Sequence, residues 1–349
     1  MAALTVGVCR ETSPGDSRVA LPPRSVPLVR TLGLDVVVEA GAGEDLGLSD
    51  RAYHTAGARI GTRNEVLLES DIVAALRPPN EVTGRRPRRD QVLVTLLTHV
   101  RAPLSMPFLI RGWADDGLTV IALDLFGAPE ATPSPLDAGA SLEQLAGYEA
   151  ALLAASLLDR PLWPGWNPAL PRTAAQALIV GGGPAARQAG HSLGACGAEV
   201  LTTVSPPPDL RDRDVVVTSI RPWLYDLPPV VVTAPSLATM RPGSVIVDMA
   251  AGRDGGNVEG VEPETIARTA TGVTVAGAGR LAERLPRVAS EAFAGHVIAL
   301  LRRVARGGSI DVDPTDPVLS AALVTQGGLV PREDVWGPIM EQMTVAGLP

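Results

Sequence analysis

The sequence feature that most restricts the fold is an apolar run that leads directly into a glycine-rich turn. The run is Ala177–Val180, and the turn that follows reads Gly181-Gly-Gly-Pro-Ala-Ala186. The run has the length and composition of a buried strand, and Ala185–Cys196 has a helical pattern. A strand that enters a helix through G-x-G-x-x-A is the context that the dinucleotide-binding fingerprint requires.

Each small residue of this fingerprint has a physical role. Gly181 permits the tight turn, Gly183 lets the backbone approach a pyrophosphate, and Ala186 allows the helix to pack closely on the strand. The start of the helix offers N–H groups and a positive dipole end to phosphate. The alternative is a turn kept for packing alone, which Pro184 favours because it removes one backbone donor. We predict contacts to a dinucleotide from Gly181, Gly182, Gly183, Ala185 and Ala186.

Short apolar runs alternate with helical patterns on both sides of this turn. Such alternation favours parallel βαβ units whose helices cover both faces of a sheet, so the predicted fold class is α/β. Long helices are predicted at Ser141–Leu158 and Arg287–Arg306. Strands are predicted at Leu4–Val8, Leu34–Glu39, Ile72–Leu76, Val92–Leu97, Leu118–Leu123, Gln176–Val180, Glu199–Thr203, Asp214–Ser219, Ser244–Asp248 and Val273–Ala276.

The chain has 349 residues, which suits two domains better than one. The segment Pro129–Gly139 is rich in Pro, Ala, Thr and Ser, and it predicts the end of the first domain. The helix predicted at Ser141–Leu158 is apolar around most of its circumference. It is therefore expected to be buried, as a spine between the domains.

Composition excludes several functional classes. The net charge of −8 and an aromatic share of 3% argue against nucleic-acid binding. The two cysteines, Cys9 and Cys196, give neither a disulfide framework nor metal-ligand spacing, so no metal is predicted. Every apolar run is shorter than the ~18 residues of a membrane span, and no signal peptide is recognised. A cytoplasmic protein without membrane insertion is expected.

The strand after the glycine turn departs from the dinucleotide pattern. An acidic residue is expected at its end to bind the adenosine ribose, but Val204 stands at the matching position. Only ten residues separate Thr203 from Asp214, which is too few for a helical crossover. The second domain is therefore predicted to be truncated, with a helix and at least one strand missing.

Two long segments carry a resemblance to a known family. They are Val6–Ala20, which contains Asp-Ser-Arg-Val-Ala, and Pro242–Glu259, which contains Val-Ile-Val-Asp-Met-Ala. Ala276–Pro286, ending in Arg-Leu-Pro, adds to them. The chain resembles the alanine dehydrogenase and pyridine-nucleotide transhydrogenase alpha-subunit family, and is more similar to the soluble part of the transhydrogenase subunit.

The resemblance implies an architecture and an activity. The architecture is two Rossmann-like domains with parallel sheets separated by a cleft, residues 1–140 with 287–349 forming one and 141–286 the other. The activity is hydride transfer involving NAD or NADP, with a small-molecule substrate or a second nucleotide-binding subunit as partner. A homodimer formed through the second domain is also implied.

The resemblance also implies site residues. Arg18 matches an arginine that grips a substrate carboxylate, a role that suits the planar guanidinium fork. Arg77 stands where the dehydrogenases have a lysine, and His99 lies one place after the position of their catalytic histidine. The predicted catalytic residues are Arg18, Arg77, His99, Asp137 and Asp254, and Thr218 and Ser219 are predicted beside the nicotinamide. For each of them an ordinary structural role is the alternative.

Three hypotheses follow from these observations. The first is an NAD(P)(H)-binding oxidoreductase of the alanine dehydrogenase/transhydrogenase type. The second is a non-catalytic relative that binds a small anionic metabolite or a partner protein, which the replacement of the ribose acid favours. The third is an enzyme of altered chemistry in which Arg18, Arg77 and His99 handle an anion without redox change.

Overall fold

Two compact units make up the chain. In the computed structural model, residues 3–79, 88, 90–97, 106–126, 134–167, 169–205, 209–221 and 227–337 are described. One unit comprises Met1–Ser141 together with Pro286–Pro349, and the other comprises Leu142–Leu285.

The first unit is built on a seven-stranded sheet of order β15-β6-β5-β4-β1-β2-β3. Its strands are β1 (Thr5–Val8), β2 (Asp35–Glu39), β3 (Arg59–Gly61), β4 (Ile72–Ala74), β5 (Val92–Thr95), β6 (Thr119–Ala122) and β15 (Leu323–Thr325). All neighbours are parallel except β15, which pairs antiparallel with β6. β1 and β4 are therefore adjacent, and the loops that follow them leave the sheet at the same edge.

Helices cover this sheet, and local capping explains where two of them begin. The Ser49 hydroxyl caps one helix, and Thr62 and Glu65 form a reciprocal capping box at the next. Residues from the end of the chain also pack here, since the Val19 N–H donates to the Ser290 hydroxyl at 2.9 Å. The helices are α1 (Val26–Arg30), α2 (Asp50–Ala56), α3 (Arg63–Glu69), α4 (Met106–Asp115), α8 (Pro286–Val304) and α9 (Pro317–Ala322). A small hairpin, β13 (Ala305–Arg306) with β14 (Ser309–Ile310), follows α8.

The second unit has a six-stranded sheet of order β11-β12-β10-β9-β7-β8. Its strands are β7 (Gln176–Val180), β8 (Glu199–Thr203), β9 (Val215–Thr218), β10 (Val245–Asp248), β11 (Ile266–Arg268) and β12 (Thr274–Gly277). Only β11 runs antiparallel to its neighbour. Three central strands, β7, β9 and β10, are buried almost throughout, as expected when both faces of a parallel sheet are covered.

Two longer helices and a short one accompany this sheet: α5 (Ala138–Leu157), α6 (Pro184–Ala195) and α7 (Ala234–Ala238). The bulk of α5 belongs to the second unit. An added Cβ at Gly147 of α5 would lie 2.2 Å from the carbonyl oxygen of Ala185 in α6. Glycine is thus required for α5 to approach the backbone of the first turn of α6.

The edge strand β8 has α6 on one face, against Val200, and is otherwise exposed. Its first four residues are exposed, and Val200, Leu201 and the following Val204 are 36%, 48% and 72% exposed. The described part of the link to β9, residues 204–205 and 209–214, is not helical. The face of β8 that a further crossover helix would normally cover is therefore left facing water.

The predicted fold class, α/β with two parallel sheets, is confirmed. Each of the ten predicted strands overlaps an observed strand, within one or two residues at either end. Helix α5 begins three residues earlier than predicted, because Asp137 accepts a hydrogen bond from the Ala140 N–H at 2.8 Å and caps it. The strands that sequence reasoning missed, β3, β11, β13, β14 and β15, contain only two or three residues each.

Candidate functional site

In the first unit, the loop after β1 carries a half-buried acid, Glu11, near the carboxyl end of the strand. The Leu76 N–H, just beyond β4, donates to Glu11 Oε1 at 2.7 Å. This bond joins the loops that follow the adjacent strands β1 and β4. It also holds the segment from which Arg77 projects.

A fully buried acid in the same loop, Asp16, binds two arginines. Arg18 donates to it from Nε and Nη2 at 2.8 and 2.7 Å, which is the bidentate geometry of a strong guanidinium–carboxylate pair. Arg77 Nε donates to the same carboxylate at 3.2 Å. Asp16 and Arg18 are only 5% and 2% exposed. Sequence reasoning singled out the two arginines and missed the acid that brings them together.

Burial and neighbouring charges shift the pKa values of Glu11 and Asp16 in opposite directions. Burial and the neighbouring Asp16 charge raise the pKa of Glu11 from its ordinary 4.5 to about 7. Burial alone would raise the pKa of Asp16 too, but the hydrogen bonds and charge of Arg18 and the charge of Arg77 lower it to about 2. Near neutral pH, Asp16 is thus ionised while Glu11 is poised between its two forms.

The other predicted residues of this unit lie elsewhere or outside the described part. Asp137 caps α5, and burial raises the pKa of its carboxyl. His296 of α8 is near Asp137 and contacts the Ser141 hydroxyl through Nε2 at 2.9 Å. His99 lies outside the described residues.

In the second unit, the glycine turn connects β7 to α6 as the sequence predicted. Gly181 has φ = +146°, and an added Cβ there would lie 2.4 Å from Ser219 Oγ, so only glycine fits. Gly182 is exposed. Gly183 is the N-cap of α6 with extended backbone and no side-chain cap, and Pro184 takes the first helical position. Ala185 and Ala186 follow in the first turn, where N–H groups have no partner within the helix.

The strand end beside this turn holds Thr218 and Ser219. Thr218 is wholly buried, and its hydroxyl donates to Asp248 Oδ1 at 3.1 Å. This hydrogen bond holds the Thr218 side chain in place at the end of β9. Ser219 Oγ is shielded from solvent and has no hydrogen-bond partner among the described residues. A buried hydroxyl left without a partner is unusual in proteins, and it faces the glycine turn.

Asp248 and Asn257 organise the loop after β10. Asp248 also accepts from the Ala250 and Val258 N–H groups, both at 2.9 Å, and burial raises the pKa of its carboxyl. Asn257 accepts from the Ile220 N–H at 2.8 Å and donates to the Ile220 carbonyl at 2.9 Å. Asp254 lies within this loop, between the two anchored ends. Sequence analysis placed Asp248 only at the end of a predicted strand, and it gave no signal for Asn257.

The adenosine side of the turn lacks its acid. Val204, the residue after β8, is 72% exposed, and its nearest methyl carbon lies 3.8 Å from the position of an added Cβ at Gly182. In the described part of the chain no group of three or more His, Cys, Asp or Glu side chains could hold a metal ion. Within the same residues no helix is long and apolar enough to cross a bilayer.

Sheet order, helix placement and the glycine turn together define a Rossmann-like protein with two α/β units. Residues 7–136 match the N-terminal and residues 207–333 the C-terminal domain of the alanine dehydrogenase/PNT family models. The chain belongs to the alanine dehydrogenase and pyridine-nucleotide transhydrogenase family, as the sequence resemblance predicted. Membership is consistent with an NAD(P)-binding oxidoreductase.

Individual relatives span nearly the whole chain. The NAD(P) transhydrogenase subunit alpha of Cereibacter sphaeroides is 28% identical over 386 residues, covering 94% of this chain and 71% of the relative. The alanine dehydrogenase of Bacillus subtilis is 26% identical, covering 95% and 94%. The crystal structure of transhydrogenase from Sinorhizobium meliloti superposes with a TM-score of 0.78 at 29% identity, covering 93% and 99%.

We expect Glu11→Gln to flatten the pH dependence of stability between about pH 4.5 and 7. In that interval the unfolded chain releases a proton that folded Glu11 retains, so the wild-type free energy of unfolding falls as pH rises. The elevation of the Glu11 pKa from 4.5 to about 7 corresponds to a loss on the order of 3 kcal/mol. Gln keeps the acceptor for the Leu76 N–H.

Urea unfolding at several pH values measures the effect. The low pKa of Asp16 acts only at more acidic pH, where its stabilising contribution is lost as pH falls below about 4. The two contributions therefore separate on the pH axis. Parallel pH profiles for wild type and Glu11→Gln above pH 5 would contradict the assignment.

Proposed function

We propose that the protein is an oxidoreductase that binds NAD or NADP on the turn Gly181–Gly183. The observation that carries the proposal is the turn itself. It lies at the carboxyl end of a parallel strand, leaves Gly182 exposed and opens a helix whose first N–H groups can receive phosphate. Family membership supports the same activity. The other hypotheses gain no support from these comparisons.

The residues of the turn fit the diphosphate part of such a cofactor. Gly182, Gly183, Ala185 and Ala186 would hold the pyrophosphate, and Ser219 would offer a hydroxyl at the neighbouring strand end. The nicotinamide, when bound, supplies the site that accepts or donates hydride. Val204 does not fit the ribose, because a valine side chain has no hydrogen-bonding atom. Binding is accordingly proposed to be weak.

The substrate side of the proposal rests on the first unit. Arg18 and Arg77 concentrate positive charge around Asp16, and we assign them to orientation of an anionic substrate. Asp16 accepts hydrogen bonds from two N–H groups of Arg18, so Asp16 holds this guanidinium in place. His99, Asp137 and Asp254 are assigned to the same reaction by their correspondence to the family. A small acid or a second nucleotide-binding subunit would be the hydride partner, in the cytoplasm.

Gly183→Val tests the cofactor site directly. The φ of −79° at Gly183 is open to any residue, and the nearest atom to an added Cβ is the mobile end of Glu143, so the variant should fold. The valine would occupy the space where backbone meets phosphate. We expect Gly183→Val to lose the binding of NADH and NADPH. Binding is measured by the fluorescence of the nucleotide.

The control for the fold of this variant is a thermal stability and a circular dichroism spectrum equal to those of the wild type. Unchanged nucleotide binding by Gly183→Val would show that the nucleotide does not occupy the turn. Submicromolar binding by the unmodified protein would contradict the proposed weakness.

Val204→Asp should strengthen NADH binding. It places a carboxylate at the end of β8, where the ribose hydroxyls of a dinucleotide are bound in this class of fold. A hydrogen bond to a charged group contributes roughly 1.5–3 kcal/mol, which corresponds to about tenfold or more in the dissociation constant. Ile266→Asp is a matched control, because Ile266 is 58% exposed on β11 at the opposite edge of the same sheet. An equal effect of both changes would argue against a ribose contact at Val204.

We propose that a second copy of the chain packs on α5. Tyr148 and Leu152 lie one turn apart on the same face of this helix and are 41% and 40% exposed. Replacing both with Glu should convert a dimer to a monomer in light-scattering measurements. Leu329→Glu, at a residue 71% exposed in the first unit, should leave the dimer unchanged. A monomeric wild-type protein at micromolar concentration would refute the proposal.

A further inference from the structure

The start of α6 is contacted by a helix from elsewhere in the second unit. Gly147 brings α5 against the carbonyl of Ala185, in the first turn of α6. Residues four apart on a helix share one face. The residue one turn before Gly147 on that face is Glu143, so the close approach of the two backbones directs Glu143 toward the glycine turn.

The Glu143 carboxylate lies directly beside Gly183. Its Oε2 is 3.2 Å from the place of an added Cβ at Gly183, and among the described residues no other atom beyond the chain neighbours of Gly183 comes within 4 Å of that point. In the dinucleotide fingerprint the missing side chain of this glycine is what admits the pyrophosphate. Here the space beside Gly183 faces an acid of the protein itself.

The charges around the start of α6 attract an anion, whether it is a side chain of the protein or a bound ligand. The N-terminus of α6 carries the positive end of the helix dipole, and Gly183 provides no side-chain cap. Arg187, also in the first turn, donates from Nη1 to the Gly182 carbonyl at 3.3 Å and adds a positive charge beside the turn. A carboxylate and a diphosphate are both favoured here separately, but they repel each other when they are present together.

We propose that Glu143 is an internal anion that competes with the diphosphate of a nucleotide for the start of α6. A nucleotide binds only when this carboxylate is displaced, so Glu143 sets the affinity of the site and selects against polyphosphate ligands. The inference rests on the proposed function where it names a nucleotide as the ligand. The anion site at the start of α6 does not depend on that function. Inorganic pyrophosphate therefore serves as an independent probe.

The experiment compares wild type with Glu143→Ser, which removes the charge and leaves a small hydroxyl. Dissociation constants for inorganic pyrophosphate and for NADH are measured by calorimetry and by fluorescence. We expect Glu143→Ser to bind both at least tenfold more tightly than wild type. Adding Gly183→Val to Glu143→Ser should abolish the gain, because the valine refills the space.

Glu149→Ser is the matched control. It removes a carboxylate from the same helix, where Glu149 pairs with Arg284 at 3.6 Å, and it changes the net charge equally. Affinities of Glu149→Ser should remain at the wild-type value. Circular dichroism and thermal unfolding confirm that each variant is folded, and a variant that fails is replaced by Glu143→Gln or Glu149→Gln, respectively.

The outcomes separate this inference from the proposed function. Equal pyrophosphate affinity in wild type and Glu143→Ser, or an equal gain in Glu149→Ser, would overturn the inference whatever NADH does. Tighter pyrophosphate binding specific to Glu143→Ser, with NADH bound by no variant, would support the inference and refute the proposed cofactor. Tighter binding of both ligands would support both.

Discussion

A carboxylate removed from water must be surrounded by donors, and each unit of this protein is organised around one such group. Asp16 is enclosed by Arg18 and Arg77 in the first unit, and Asp248 by Thr218 and backbone N–H groups of the following loop in the second. Both acids lie where parallel strands end. This is the edge at which open α/β sheets bind ligands, so the groups that satisfy buried charge also give the candidate sites their shape.

The fold could be predicted because its signals are local. A parallel strand buried on both faces is a continuous apolar run, and this pattern located β7, β9 and β10 without any knowledge of their neighbours. The glycine turn was predictable for a similar reason, since Gly181 needs a backbone conformation that other residues rarely adopt. Strands such as β3 and β15, with three residues each, are too short to produce a pattern and depend on the neighbours they pair with.

The chemistry of the site was less accessible because it depends on contacts between distant segments. Arg18 was interpreted through its possible substrate, yet the structure shows its guanidinium fork engaged by Asp16 only two residues earlier. Glu143 and Gly183 are forty residues apart, and they meet because Gly147 permits a close helix contact. Glu143 is one of two glutamates on a largely apolar helix, and nothing in the local sequence distinguishes it from Glu149. The family resemblance drew attention to other positions.

The exposure of the edge strand β8 has a consequence for the dynamics of the second unit. Among the described strands it pairs with β7, at the end of the sheet, and its side chains are largely exposed. Segments with few buried contacts open with a lower free energy than the core of the same domain. The amides of β8 should therefore exchange with solvent through local opening, long before the central strands exchange. Since the Gly181 N–H donates to the Thr203 carbonyl of β8, such opening would also loosen the turn at the end of β7.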